Sequence, residues 1–138
     1  MSANKVLKLM KDKGVEYLDL RFTDPRGKLQ HLTMDGTLVD ESMLSDGVFF
    51  DGSSIAGWKA INESDMILKP DLDRLVFDPF TSHNTLVLFC DVLDAVKKNP
   101  YERDPRSIAK KAEAYLKKTG IGDKAYFGPE AEFFVFDD

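Results

Sequence analysis

The chain has 138 residues, 43% hydrophobic and 31% charged, with a formal net charge of -5 at pH 7. That length accommodates one domain with a hydrophobic core, or a small domain plus part of the next, and the composition is too apolar and too patterned for a disordered chain. The acidic balance disfavours a nucleic-acid or anionic-membrane partner, because phosphate binding depends on Lys and Arg, and it favours metal cations.

From the N-terminus, Val6, Leu7 and Met10 form a narrow apolar stripe between Lys5, Lys8, Lys11 and Lys13, which predicts an amphipathic helix closed by Gly14 rather than a signal peptide or a membrane span. From Glu16 to Thr23 the period becomes two, with Leu18, Leu20 and Phe22 on one strand face and Tyr17, Asp19 and Arg21 on the other. Asp24-Pro25-Arg26-Gly27 supplies a turn, and Leu29 to Met34 returns as the second arm of a hairpin. A short helix capped by Asp40 is expected over Asp40 to Asp46, followed by a Gly- and Ser-rich loop from Gly47 to Gly57. Strands are expected at Met66 to Lys69, Arg74 to Phe77 and Thr85 to Asp91, with Pro70 and Pro79 as breaks. About five short strands result. The single cysteine, Cys90, falls in an apolar strand pattern, excludes an intrachain disulfide and leaves a cytoplasmic setting as the expectation.

A helix starts at Asp104, its N-cap, with Pro105 in first position, an apolar face of Ile108, Ala112, Tyr115 and Leu116, and Gly120 past its end. Two further strands are expected at Lys124 to Phe127 and Glu132 to Phe136, around Gly128-Pro129. The run Phe133-Phe134-Val135-Phe136 is apolar on both faces, as in a strand buried inside a larger body. Extended backbone would set Glu130 and Glu132 on one face, about 6 to 7 Å apart, where two carboxylates can serve neighbouring hard cations such as Mg²⁺ or Mn²⁺. From spacing alone, the same glutamates read more readily as a solvated strand face, and Asp51-Gly52 reads equally as a turn. Trp58 reads as packing, His31 and His83 lack a second ligand at metal spacing, and Arg103 and Arg106 read as structural ion-pair partners at a helix start. Neither a GxxxxGK[ST] nor a GxGxxG phosphate loop is present.

Several stretches taken together carry more. The sequence around Gly128-Pro129-Glu130-Ala131-Glu132-Phe133, the loop Phe50-Asp51-Gly52-Ser53-Ser54, the following Ile61-Asn62-Glu63-Ser64-Asp65-Met66, the strand from Tyr17 to Gly27 and the segment from Tyr101 to Lys110 closely resemble, in the same order, motifs of bacterial-type glutamine synthetases. The resemblance implies an α+β fold, with a β-grasp-like amino-terminal domain at 1–103 followed by the opening helix and strands of a truncated catalytic domain at 104–138. It implies that Glu130 and Glu132 are each a ligand of one of two Mg²⁺ or Mn²⁺ ions. It also implies that Asp51, with Ser54 beside it, enters a neighbouring subunit's site to bind ammonium and take its proton. The activity implied for the full-length parent is ATP-dependent ligation of glutamate and ammonia through a γ-glutamyl phosphate. The 138 residues alone are expected to lack that activity, to bind neither ATP nor metal firmly and to self-associate. A stand-alone β-grasp interaction or assembly module is the alternative.

Overall fold

A computed structural model describes residues 1–57 and 64–137. Trp58, Ile61, Asn62, Glu63 and Asp138 lie outside the described residues. Two compact units are present, Met1–Ile108 and Ala109–Asp138. In chain order the elements are α1 (Ala3–Lys13), β1 (Tyr17–Thr23), β2 (Leu29–Asp35), α2 (Glu41–Asp46), β3 (Val48–Asp51), β4 (Asp65–Phe77), β5 (Thr85–Asp94) and α3 (Pro105–Thr119).

The first unit is a mixed five-stranded sheet in the order β2-β1-β5-β4-β3, in which only β1 and β5 run parallel. Burial explains the order. β5, with the apolar run Leu86-Val87-Leu88-Phe89-Cys90, is the central strand, β1 and β4 flank it with buried stretches, and β2 and β3 alternate between half-buried and exposed and form the edges. Val6 and Met10 of α1 and Leu44 of α2 pack into one core with Leu18, Leu20, Phe22, Met66, Leu68, Leu86, Leu88, Cys90 and Val92. Each fully buried side chain there contributes about 2 kcal/mol of transfer free energy. Burial pushes the Cys90 thiol well above its ordinary pKa, so it behaves as a small hydrophobe.

Local chemistry sets the element ends. Gly14 takes the left-handed conformation at φ 62° and closes α1, its N–H donating to Lys11 O at 3.1 Å. The buried Asp24 carboxylate accepts from the amides of Arg26 and Lys28, both at 2.9 Å, and from Gln30 Nε2 at 3.0 Å, which closes the β1–β2 turn. Asp40 caps α2 by accepting from the Met43 amide at 2.8 Å. Asp104, fully buried, caps α3 by accepting from the Ser107 amide at 3.0 Å and hydroxyl at 2.7 Å.

Several expectations are corrected. Pro70 does not end a strand: β4 runs through it, and the pairing with β5 slips between Pro70 and Leu75, a bulge that absorbs the missing N–H. The segment from Gly47 to Gly57 is not all loop, because Val48–Asp51 forms the edge strand β3 against β4. In the second unit, Lys124 to Phe127 and Glu132 to Phe136 are not strands, and residues 123–137 carry no regular element beyond a bend at Asp123. A strand needs a neighbour for its N–H and C=O groups, and among the described residues none pairs with this segment. Phe133, Phe134, Val135 and Phe136 are correspondingly exposed, as are Ile108 and Tyr115 on the apolar stripe of α3.

Candidate functional site

The loop carrying Asp51 and Ser54 is built by the edge of the sheet. β3 pairs antiparallel with β4 in the register Phe50↔Met66 and Asp51↔Asp65. Strand alternation then half-buries Val48 and Phe50 against the core and leaves Phe49 and Asp51 exposed. Beyond Asp51 the chain tightens into a single turn, Gly52–Ser54. A Cβ on Gly52 would lie 2.3 Å from Met66 Sδ, so only glycine lets the backbone approach β4 this closely, and the Gly52 amide donates to Ser64 O at 2.7 Å. Ile55 is buried in the core and anchors the far side of the turn. Further on, Arg103 Nη1 donates to Gly57 O at 2.9 Å.

Asp51 is thereby held at the exposed end of an edge strand. Its Oδ1 accepts from the Ser53 amide at 2.8 Å and from the Ser53 hydroxyl at 2.7 Å. The Ser53 hydroxyl, then the Ser53 amide and more weakly Ser64, keep the carboxyl below the usual carboxylate range. Asp51 is therefore an anion at neutral pH, able to accept charge-assisted hydrogen bonds from a cationic donor. Asp51 and Ser54 line one cleft of about 310 Å³ together with Phe22, Leu32, Phe50 and Ile55.

The other two predicted site residues, Glu130 and Glu132, belong to the second unit and are exposed. The rings of Phe134 and Phe136 lie 6.2 Å apart, so alternate side chains meet along this non-strand stretch. Oxygen donors of this kind suit Mg²⁺ or Mn²⁺. Among the described residues, however, no three carboxylate, imidazole or thiolate side chains gather as a cation site.

Two features were not read from the sequence. Ser53 is one; its signal is the Asp-x-Ser spacing of an Asp-capped turn. The other is a polar network on the outer face of β1 and β2. Buried Asp19 accepts from Thr33 Oγ1 at 2.7 Å and from Arg21 Nε at 2.7 Å, with His31 Nδ1 at 2.8 Å, and Arg21 also pairs with Asp78. Burial raises the Asp19 pKa, but hydrogen bonds from Thr33, His31 and Arg21 outweigh it and leave the group below its ordinary value. The polar alternation Tyr17, Asp19, Arg21 marked this face. His83 stands beside Glu16 at 3.2 Å, and Arg106 joins Asp91, at 2.7 Å, to Asp71 as an ion-pair partner.

Comparison with known proteins bears on the whole chain. The model for the glutamine synthetase beta-Grasp domain matches residues 14–95, and the model for the glutamine synthetase catalytic domain matches residues 102–138. A glutamine synthetase of Rhizobium meliloti (strain 1021) is 64% identical over 137 residues, covering 99% of this chain and 29% of that protein. A glutamine synthetase of Methylococcus capsulatus is 58% identical over 138 residues, covering 100% of this chain and 29% of that protein. The fold matches a Plasmodium falciparum glutamine synthetase with a TM-score of 0.77 at 24% identity, covering 87% of this chain and 23% of that one. It also matches a protein solved as GmaS with ADP, with a TM-score of 0.73 at 21% identity over 82% of this chain and 25% of that one. The chain thus spans about 29% of the length of the curated relatives it matches.

Proposed function

The chain belongs to the glutamine synthetase family, and from that premise we propose that these residues are the ammonium-binding loop and the first metal-binding segment of an ATP-dependent glutamate–ammonia ligase. The observation that carries the reading is the Asp51 carboxylate, exposed at the end of β3, held ionised and oriented by Ser53. Ammonium cannot attack an acyl centre until it loses a proton. Asp51 binds it through charge-assisted hydrogen bonds and takes that proton, and Ser54, on the same cleft, helps shape the site. The glutamate side chain must first be activated by phosphorylation to γ-glutamyl phosphate, from which ammonia displaces inorganic phosphate.

Glu130 and Glu132 fit Mg²⁺ or Mn²⁺ in donor type, one carboxylate for each of two ions. When bound, the ions neutralise charge on the transferring phosphoryl group of ATP. Two carboxylates are too few for a tight site, so the 138 residues alone bind metal weakly and make no glutamine. The division into a β-grasp domain at 1–103 and the opening of a catalytic domain at 104–138 belongs to this proposal, and the two family models on either side of residue 100 support it. A cytoplasmic setting, assembly with neighbouring glutamine synthetase subunits through which Asp51 acts, and self-association through the exposed Phe133, Phe134 and Phe136 belong to the same proposal. No helix among the described residues is long and apolar enough to cross a membrane.

The test is a chimaera in which this chain replaces the matching 137 residues of the Rhizobium meliloti relative. Glutamine formation from glutamate, ammonia and Mg·ATP is expected from the chimaera and not from the 138 residues alone. Asp51→Asn should lower kcat/KM for ammonium by about a hundredfold, in the range of a lost general base. A chimaera that assembles and stays silent favours the second reading, a stand-alone β-grasp interaction or assembly module, for which the five-stranded sheet contained within Met1–Ile108 is the supporting observation.

A further inference from the structure

Asp51 is exposed, and an exposed carboxylate on a strand end samples several rotamers unless something holds it. Two donors of one residue, the Ser53 amide at 2.8 Å and the Ser53 hydroxyl at 2.7 Å, converge on the same oxygen, Asp51 Oδ1. The backbone that presents Ser53 is itself fixed: Gly52 is packed on Met66 with no room for a side chain, its amide is bound to Ser64 O, and Ile55 is buried on the other side. Ser53 is half-buried, whereas Ser54 and Asp51 are exposed. Among the described residues, Asp65 of β4 is the cross-strand partner of Asp51, and His31 of β2 lines the same cleft. Among the described residues, the donors to the Asp51 carboxylate are serines, Ser53 first and Ser64 more weakly.

We propose that Ser53 is a positioning residue for the amination step, holding the Asp51 carboxylate in the one orientation that receives ammonium. The inference rests on the reading of Asp51 given above. Ser53 does not touch the substrate: it acts through the geometry and basicity of its neighbour. Removing the hydroxyl leaves the amide bond in place, so the carboxylate is loosened, not released, and the effect is confined to the ammonium half of the reaction.

The experiment uses the chimaera with the Rhizobium meliloti relative and measures KM for ammonium, glutamate and ATP, with the pH profile of kcat/KM for ammonium. Ser53→Ala is expected to raise the ammonium KM about three- to tenfold, the scale of one hydrogen bond to a charged group. It should leave the other two KM values unchanged and move the acidic limb upward, toward an ordinary carboxylate. Ser53→Thr, which keeps the hydroxyl, should restore both quantities. Ser53→Cys, nearly isosteric but a poor donor, should repeat the alanine result and serves if alanine disturbs the turn. An unchanged ammonium KM and acidic limb in both donor-poor variants overturns the proposal, as does a parallel rise of all three KM values. Asp51→Asn separates the two levels: if it raises the ammonium requirement and Ser53→Ala does not, only the role of Ser53 falls. If Asp51→Asn itself has no effect, the reading of Asp51 falls and the proposal with it.

Discussion

At the scale of single residues, Gly52 is the most constrained position beside the candidate site. Its φ is not left-handed, so the demand on it is purely steric: any Cβ would meet Met66 Sδ and Ser64 O. Gly52→Ala should force Met66 from its rotamer or push β3 off β4, costing about 1–3 kcal/mol, which urea unfolding of the chain would register as a lower midpoint. An unchanged midpoint would mean that β3 rides freely on the sheet edge. Asp51 and Ser54 were singled out by the resemblance of the Asp-Gly-Ser-Ser loop to a family motif, since the Asp-Gly dipeptide alone reads equally as a turn. Ser53 was not, because its part in the site depends on both of its donors reaching a single oxygen, which is a property of turn geometry and not of composition.

The elements show where pattern suffices and where it fails. Helix α1, the β1–β2 hairpin, the short helix α2 and the start of α3 were all readable, since each is bounded by a cap or turn residue that works locally: Gly14, Asp24, Asp40 and Asp104. The continuity of β4 across Pro70 was not, because a bulge in the ladder is negotiated with the partner strand β5. The same dependence explains why no strand forms after α3 among the described residues: the Phe133 to Phe136 run has the propensity of a strand but no partner there to complete it. On the outer face, the Asp19 network ties β1 to β2 and, through Arg21, to Asp78 beyond β4. Its pKa in the fold lies below the unfolded value of about 3.9, so the stability it confers is complete above that value and lost as pH falls through the folded pKa. Urea midpoints should therefore be flat from neutral pH down to about 5 and fall below about 4. Asp19→Asn should lower the neutral plateau and flatten the acid limb, whereas an acid limb of unaltered steepness would assign it to other carboxylates.

For the whole molecule, the decisive feature is the parallel pairing of residues 17–21 with 85–89 at the centre of the sheet. Every other strand contact hangs on that pair, because β2 adds to β1 on one side and β4 and β3 add to β5 on the other. A chain ending at Phe80, which lacks β5, should remain unfolded by circular dichroism, while residues 1–108 should melt cooperatively. A folded product from the shorter chain would mean that the hairpin and α1 form a core without β5. In a nascent chain this arrangement sets a timetable. The hairpin, α1 and α2 emerge first yet own no stable partner, and the apolar faces of Leu18, Leu20 and Phe22 stay available to chaperones until β5 has cleared the ribosome. The loop bearing Asp51 is translated long before the strand that makes its sheet a sheet, so the last part of the domain to be made decides when that carboxylate acquires a fixed address.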